Sequence, residues 1–450
     1  MKDISYRENL TCEGNQLDAI GCHSVIILVG GSISKRRLFE QHILGVGHQR
    51  FSIVHLNPPS QQRRGREGAK TPWDPREYIG SLSDAFRIAA VIPMIDSVVC
   101  YCDSMNAKLG LSGNDPKTSL ERVDKQKMQK ACADVGLVHA KSVRVSSINQ
   151  AIRVWQDSFG SNEVVLKPPR SGGCDGIAIC SSIVEISEHM NRQLNAVNLE
   201  KLRNTDIVIQ ELIMIDYEYV INTVSLDGIH FVSDVWRGTP KRNGRLFLYD
   251  TQELVFDLAS VKEIIEYTKS VLSAVGVRHG ACHTEVGVVM NSKNNTIESI
   301  KLIEVNSRLA GEMRASNVIP GWRGEDQIYW LLISLIDPAR LLKEGIPRSD
   351  PAYSNTVIVV FLQNTRYLSC SITDIGLEAI RRLPSFFRFG RSLGWANETV
   401  ADKKSVRLGR TLDLVSSPGV VMLVGPSASQ DASEVRRIEA SLLYDPTHAS

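Results

Sequence analysis

Paired cysteine spacing is missing from this chain. Its 450 residues hold nine cysteines, an odd number scattered without a CxxC pair. That argues against a disulfide framework and for reduced thiols. An excess of charge is missing too: the net charge is +2 at pH 7, so nothing in the balance calls for a nucleic-acid partner. The locally basic run Arg63, Arg64, Arg66 and Lys70 lies among Gln, Gly and Pro and reads as a solvated loop rather than a binding patch. No apolar run approaches the ~20 residues of a membrane span. The N-terminus shows no basic-then-apolar signal pattern, and there is no internal repeat or low-complexity tract. The expectation is a cytoplasmic protein without a membrane partner. What is present is a 43% hydrophobic composition over a length that suits about two to four packed units.

The chain reads as four regions. Residues 1–111 alternate strand and helix. "VIILVGG" (25–31) is a solid apolar run ending in glycine, as buried parallel strands are. "KRRLFEQHIL" (35–44) can form a helix, and "FSIVHL" (51–56) and "SVVCY" (97–101) read as further strands. The Gly30-Gly31 pair lacks GxGxxG spacing and reads as a tight turn. Residues 112–210 open with the turn-rich "GNDPKTS". Asp124 can cap a helix "KQKMQKACADV" that Gly136 ends, with Met128, Ala131, Cys132 and Val135 on one apolar face. "EVVLKPPRSGGCDGIAIC" (163–180) reads as a hairpin around a glycine-rich loop, and "DIVIQELI" (206–213) as a buried strand.

Residues 211–354 are α+β. "YEYVINTVSLDGIHFVSDVW" is two alternating strands about an Asp-Gly turn. "VKEIIEYTKSVLSAVG" (261–276) has helical spacing and stops at glycine. "CHTEVGVVM" and "SIKLIEVN" form a strand pair. Residues 355–450 carry strands "TVIVVFL" and "GVVMLVG", then a helix with Val435, Ile438 and Leu442 on one face. They read as a small appended subdomain.

The chemistry concentrates in the strand pair. Side chains alternate along a strand, so Glu304 and Asn306 share a face, and Glu285 on the neighbouring strand can join them. Two carboxylates and an amide oxygen are hard donors of the kind Mg²⁺ takes. Leu302, Ile303 and Val305 hold them on a half-buried floor. A solvated acidic edge paired with nearby arginines would look the same in isolation. The glycine-rich hairpin tilts the balance: Lys167 ends "VVLK", and the backbone N–H groups of the following turn can cradle phosphate. Lys125, at the start of a helix, offers a second cation.

In this order — "DKQKM", "VVLKPPRSGGCDGI", "VIQELIMIDYEY", "HTEVGV", "LIEVNSRLAGE" — the sequence resembles the ATP-grasp superfamily in its carboxylate–amine ligase branch, and within it the L-amino-acid ligases. The match covers residues 112–320 best. The implied architecture is an ATP-grasp fold of mixed α/β and α+β class: an N-terminal α/β domain, a central lid subdomain, and a C-terminal domain whose tail "VRLGRTLDLVSSPGVVMLVG" also resembles that group. The implied activity is ATP-dependent joining of an acid to an amine through an acyl phosphate, with ATP and Mg²⁺ (or Mn²⁺) as cofactors. A homodimer is implied as well.

The resemblance also implies roles. Lys125 and Lys167 would contact ATP phosphates, with Lys167 also near the adenine and, with Arg308, catalytic. Gly172, Gly173 and Gly176 would form the phosphate lid. Glu211 and Leu212 would be the adenine hinge, Glu218 would bind ribose, and Glu285, Glu304 and Asn306 would hold the metal. The lid departs from the family at Cys174 and Asp175, where small or basic residues are common; Cys174 reads as an exposed lid thiol rather than a nucleophile. Trp236, Arg237, Glu312, Met313 and Arg314 are the candidate substrate contacts, with Arg314 suited to a carboxylate and Glu312 to an ammonium. An Arg308 ion pair with Glu304 or Glu312 is the structural alternative to a catalytic arginine. Trp322 and Trp330 read as core. Two other functions stay open: a bicarbonate-activating enzyme like biotin carboxylase, and a nucleotide-binding regulator without turnover.

Overall fold

The computed structural model describes residues 24–30, 39, 51–56, 87–311, 326–346, 356–390, 407–414 and 416–446. The expected helix over 35–44, apart from a buried Phe39, and the basic run at 63–70 lie outside these residues, as does Trp322.

Among the described residues three parallel strands come first: β1 (Ser24–Val29), β2 (Phe51–Leu56) and β3 (Arg87–Pro93), in the order β2-β1-β3. Residues Val25 to Val29 are all buried, because both faces of a parallel sheet are covered. The strand expected at 97–101 is instead a 3₁₀ turn, Asp96–Val98, running into a helix, Val99–Lys108. Val99, Cys102, Met105 and Asn106 are buried at helical spacing. A short apolar run cannot distinguish a buried strand from a buried helix turn, and here the third strand lies ten residues earlier than read, in "RIAAVIP".

The helix Lys125–Asp134 links this unit to the next. The Asp124 carboxylate accepts from the backbone N–H groups of Gln126 and Lys127, capping it as expected. Met128 and Cys132 are buried, but Val135 lies past the last turn and is 60% exposed, so it leaves the expected apolar face. The region expected to form the lid holds a four-stranded antiparallel sheet in the order β4-β7-β5-β6: β4 (Ser142–Val145), β5 (Val164–Lys167), β6 (Ala178–Cys180) and β7 (Ile207–Glu211). Helices Ile148–Phe159 and Ile183–Gln193 pack Trp155, Phe159, Ile186 and Met190 onto Val164, Leu166 and Ile209.

Among the described residues the largest sheet has eight strands, each antiparallel to its neighbours, in the order β12 (Thr296–Asn306), β11 (Gly280–Asn291), β8 (Tyr217–Leu226), β9 (Ile229–Asn243), β10 (Leu246–Leu254), β13 (Val357–Phe361), β16 (Val420–Val424) and β15 (Phe386–Gly390). β8 (Tyr217–Leu226) and β9 (Ile229–Asn243) turn at Asp227-Gly228, both at positive φ (51° and 86°), the geometry an Asp-Gly hairpin takes. β10 (Leu246–Leu254) was not foreseen; the Asn243-Gly244 pair before it was its signal. β11 (Gly280–Asn291) and β12 (Thr296–Asn306) form the expected strand pair. One face of the sheet packs Val235, Val286, Val288 and Leu302 against the helix Lys262–Ala274. The helix Gln327–Ile336 joins the sheet to β1 through Trp330, Leu331 and Ile26.

The C-terminal residues extend the same sheet. β13 (Val357–Phe361) pairs with β10, β14 (Ser371–Ile372) stands apart, and β15 (Phe386–Gly390) and β16 (Val420–Val424) complete the edge. Helices Asp374–Arg381 and Ala428–Ile438 cover them over a core of their own. Val435 and Ile438 face that core as expected, but Leu442 is exposed and Leu443 buried. The chain widens into a π turn at Glu439–Leu443, which adds a residue per turn and moves the apolar position on by one. The seven cysteines among the described residues are free thiols. No described helix is long and apolar enough to cross a membrane.

Candidate active site

The sheet face opposite the helix Lys262–Ala274 carries a cavity of about 160 Å³ roofed by the lid. Its floor is made by register. Glu285 on β11 lies directly opposite Glu304 on β12, and Asn306 is two residues further on the same face. A bulge between Glu285 and Val286 leaves Ile303 as an extra residue on β12, so Ile303 and Glu304 both line the cavity in succession. β12 ends at Asn306, but the Arg308 N–H folds back onto the Asn306 carbonyl at 2.8 Å and Arg308 still reaches the cavity.

Two lysines face this floor. Lys125 is 4% exposed and donates to Glu304 Oε1 at 2.9 Å and to the Ser171 carbonyl. Burial works against its charge, but the adjacent Glu304 more than offsets this and holds the pKa up. Lys167, also 4% exposed, ends β5; burial first, then the charge of Lys125, lowers its pKa to about 8. Gly172, Gly173 and Cys174 line the roof. Gly173 and Cys174 both adopt positive φ (65° and 63°). Gly176 shapes the turn without lining the cavity: a Cβ there would sit 2.7 Å from Gln193 Oε1 and 2.9 Å from Pro168 Cγ. Cys174 is half-buried against the cavity, not the exposed thiol expected, and burial followed by the charges of Glu285 and Glu218 pushes its pKa up. It is a thiol at neutral pH, consistent with its not being a nucleophile. Asp175 anchors the loop by accepting from Ser171 Oγ (2.7 Å) and the Leu199 N–H (2.8 Å).

At the other end, Leu212, Ile213 and Ile215 form an apolar wall opposite Phe247 and Tyr249 of β10. Glu211 does not line the cavity: its N–H donates to the Lys141 carbonyl and its carboxylate accepts from Lys301 at 2.5 Å, so the cavity lining begins at Leu212. Glu218 does line it. Its Oε1 is buried and has no hydrogen-bond partner among the described residues, and burial, then Glu285 and Glu304, raises its pKa well above the carboxylate range.

Arg308 does not pair with Glu304. Its Nε donates to Asp96 Oδ2 at 2.7 Å, and an Nη donates to the Leu309 carbonyl at 3.0 Å. Two candidate substrate contacts are corrected. Trp236 lies on the rung of Glu285 and Glu304, but two strands beyond Glu285, where Val359, Phe361 and Met422 cover it completely. Arg237 points to the opposite face, donating to Glu253 Oε2 at 2.6 Å with its guanidinium over the Tyr217 ring. Glu312, Met313 and Arg314 lie outside the described residues. Sequence reading missed Asp96, Ile215 and Tyr249.

Among the described residues no three His, Cys, Asp or Glu gather into a metal cluster of their own. Two carboxylates and an amide oxygen are a partial, hard-oxygen set. It fits a Mg²⁺ whose remaining positions go to phosphate oxygens and water.

No protein-family model matches the chain. Dapdiamide A synthase of Enterobacter agglomerans is 24% identical over 373 residues, covering 82% of this chain and 83% of that protein. Alanine–anticapsin ligase of Bacillus amyloliquefaciens is 23% identical over 297 residues, 62% of this chain and 60% of that one. In solved structures the fold is similar to an L-amino acid ligase from Bacillus licheniformis (TM-score 0.64, 15% identity, 93% of this chain and 97% of that one). It is also similar to an N5-carboxyaminoimidazole synthase from Aspergillus clavatus in complex with ADP (TM-score 0.58, 13% identity, 94% and 100%). The structural likeness shows the fold, shared with an L-amino acid ligase and an N5-carboxyaminoimidazole synthase, and in sequence the chain is similar to proteins named as a synthase and a ligase, as ATP-grasp carboxylate–amine ligases are.

Proposed function

We propose that the chain joins the carboxylate of an amino acid, or a closely related acid, to the amine of a second amino acid, cleaving ATP to ADP and phosphate. The observation that carries this reading is the meeting in one cavity of a carboxylate pair and amide oxygen below with two buried lysines and a glycine loop above. The relative named for joining alanine to anticapsin supports an amino acid as one partner.

A carboxylate is a poor electrophile. In the first step its oxygen attacks the γ-phosphorus, the bond to the β–γ bridging oxygen breaks, and an acyl phosphate and ADP result. In the second the amine nitrogen attacks the acyl carbon, a C–N bond forms, phosphate leaves and the nitrogen gives up its proton. The protein's part is positioning and electrostatics. Lys125, Lys167 and the N–H groups of the 172–174 loop hold the phosphates. Leu212, Ile213 and Ile215 receive the adenine, and Glu218 the ribose hydroxyls. The forked donors of Arg308 face the transferred phosphoryl group and the acyl phosphate. Glu285, Glu304 and Asn306 would hold Mg²⁺ (or Mn²⁺), which neutralises charge on the phosphates. Lid closure keeps water from the acyl phosphate. Arg314 and Glu312 are assigned to the substrate carboxylate and ammonium.

The test supplies ATP, Mg²⁺ and amino-acid pairs, and measures nucleotide products and product mass. ADP, phosphate and a product one water lighter than its two parts are expected. AMP and pyrophosphate would overturn the mechanism. ADP release with bicarbonate in place of the acid would point to the carboxylating alternative, and no release under any condition to a regulator.

A further inference from the structure

Two side chains that line the cavity hold a buried oxygen with no hydrogen-bond partner among the described residues. One is Glu218, which the proposed function gives to the ribose hydroxyls. The other is Gln210 on β7, which is 4% exposed and whose Oε1 is the unanswered atom. Strand alternation aims it. Gln210 and Leu212 line the cavity, while Glu211 between them turns away to Lys301. Across the sheet Gln210 lies opposite Val165 of β5, which also lines the cavity. The amide thus stands in the wall two residues before the apolar segment that begins at Leu212.

We propose that Gln210 recognises the base of the nucleotide, its amide oxygen accepting a hydrogen bond from the 6-amino group of adenine. The inference rests on the reading of Leu212, Ile213 and Ile215 as the adenine wall. Packing does not account for the residue. A buried amide oxygen without a donor costs free energy that a methionine of similar size would avoid. The same unit shows how a structural amide is held. Asn198, 7% exposed, donates from Nδ2 to the Arg170 carbonyl at 2.6 Å, and its Oδ1 accepts from the Glu200 N–H at 3.0 Å. Gln210 Oε1 has no such donor among the described residues. The group also suits the task. An amide carries acceptor and donor side by side, the complement of the adenine edge where the 6-amino group donates and the neighbouring ring nitrogen accepts. Being uncharged, it neither attracts nor repels the phosphates.

The experiment titrates ADP and its 6-deamino counterpart, purine riboside 5′-diphosphate, into the wild type and Gln210→Met by calorimetry with Mg²⁺ present, and reads thermal stability in parallel. The wild type is expected to bind ADP about tenfold more tightly than the deamino ligand, the worth of one hydrogen bond whose loss leaves a buried oxygen unanswered. Gln210→Met should bind ADP about tenfold more weakly and the two ligands alike, because the paired deletions form a cycle that isolates one contact. Its melting temperature without nucleotide should be no lower than that of the wild type, since the change removes an unanswered oxygen. Gln210→Leu carries the same expectations and serves if methionine overpacks the wall. Three results would overturn the assignment while leaving the adenine wall in place: a wild type indifferent to the 6-amino group, an ADP preference undiminished in the folded variant, or an equal loss for both ligands, as a packing residue would give. If the wild type binds ribose 5-diphosphate, which has no base, as tightly as ADP, the wall itself is wrong and the inference falls with it.

Discussion

Arg308 and Asp96 meet across 212 residues of sequence, Nε to Oδ2 at 2.7 Å, joining the segment just past β12 to the turn after β3. Both side chains are largely buried, and Asp96 raises the Arg308 pKa against the opposing effect of burial. One edge of the guanidinium is thus held by the N-terminal unit while the residue also lines the cavity.

Arg308→Lys keeps the charge and loses the fork. Because Asp96 can still pair with a lysine, the fold and ADP affinity are expected to survive, while single-turnover ADP formation falls about 10²–10³-fold, the cost of one missing transition-state donor. Unchanged single-turnover chemistry would make the arginine structural.

Glu304→Gln preserves size and removes the charge facing both Lys125 and the metal position. Turnover should fall about 10²–10³-fold with the fold intact. Near-normal turnover at low Mg²⁺ would remove Glu304 from the metal site.

The depressed Lys167 pKa makes nucleotide binding depend on pH. In the free protein burial, then the charge of Lys125, brings the ammonium to half-deprotonation at about 8, and bound phosphates favour the protonated form. ADP binding should therefore take up a proton above that pH. Affinity is full below about 8 and weakens as pH rises, by up to about tenfold per unit. Lys167→Met should bind more weakly, with little pH dependence across this range. Calorimetry in buffers of different ionisation enthalpy reads the uptake directly; a wild-type affinity that stays flat from pH 7 to well above 8 would contradict it.

Gly287 on β11 leaves room for the apolar wall. A Cβ added there would lie 2.5 Å from Ile215 Cγ2, and Ile215 lines the cavity. Gly287→Ala should push Ile215 inward and weaken ADP binding by about tenfold, about 1.4 kcal/mol, within the usual range for overpacking. An unaltered ADP affinity would take Ile215 out of the nucleotide wall.

The floor of the site was legible because strand alternation is strict: Glu304 and Asn306 had to share a face, and Glu285 needed only the neighbouring strand in register. The glycine loop and Lys167 were legible from the hairpin that carries them. Ile303 was not, because a bulge breaks the alternation that sequence reading relies on. Tyr249 went unseen with its strand. Asp96 could not be found at all, since a pairing over 212 positions leaves no local pattern. Trp236 misled for a different reason. Its rung is the right one, but which part of a sheet face lies open depends on what covers it, and here that cover is the chain's last third.

That cover gives the C-terminal strands an unexpected bearing on solubility. β10 carries Tyr249 on the cavity wall and uses its outer side to bond β13, where the Tyr249 ring tilts against Phe361 with centroids 5.3 Å apart. A chain cut before β13 would leave β10 as a bare sheet margin with unanswered backbone groups and uncovered Trp236, a template for strand-to-strand association between molecules. Shortening this protein from its C-terminal side should therefore yield aggregates rather than a trimmed enzyme.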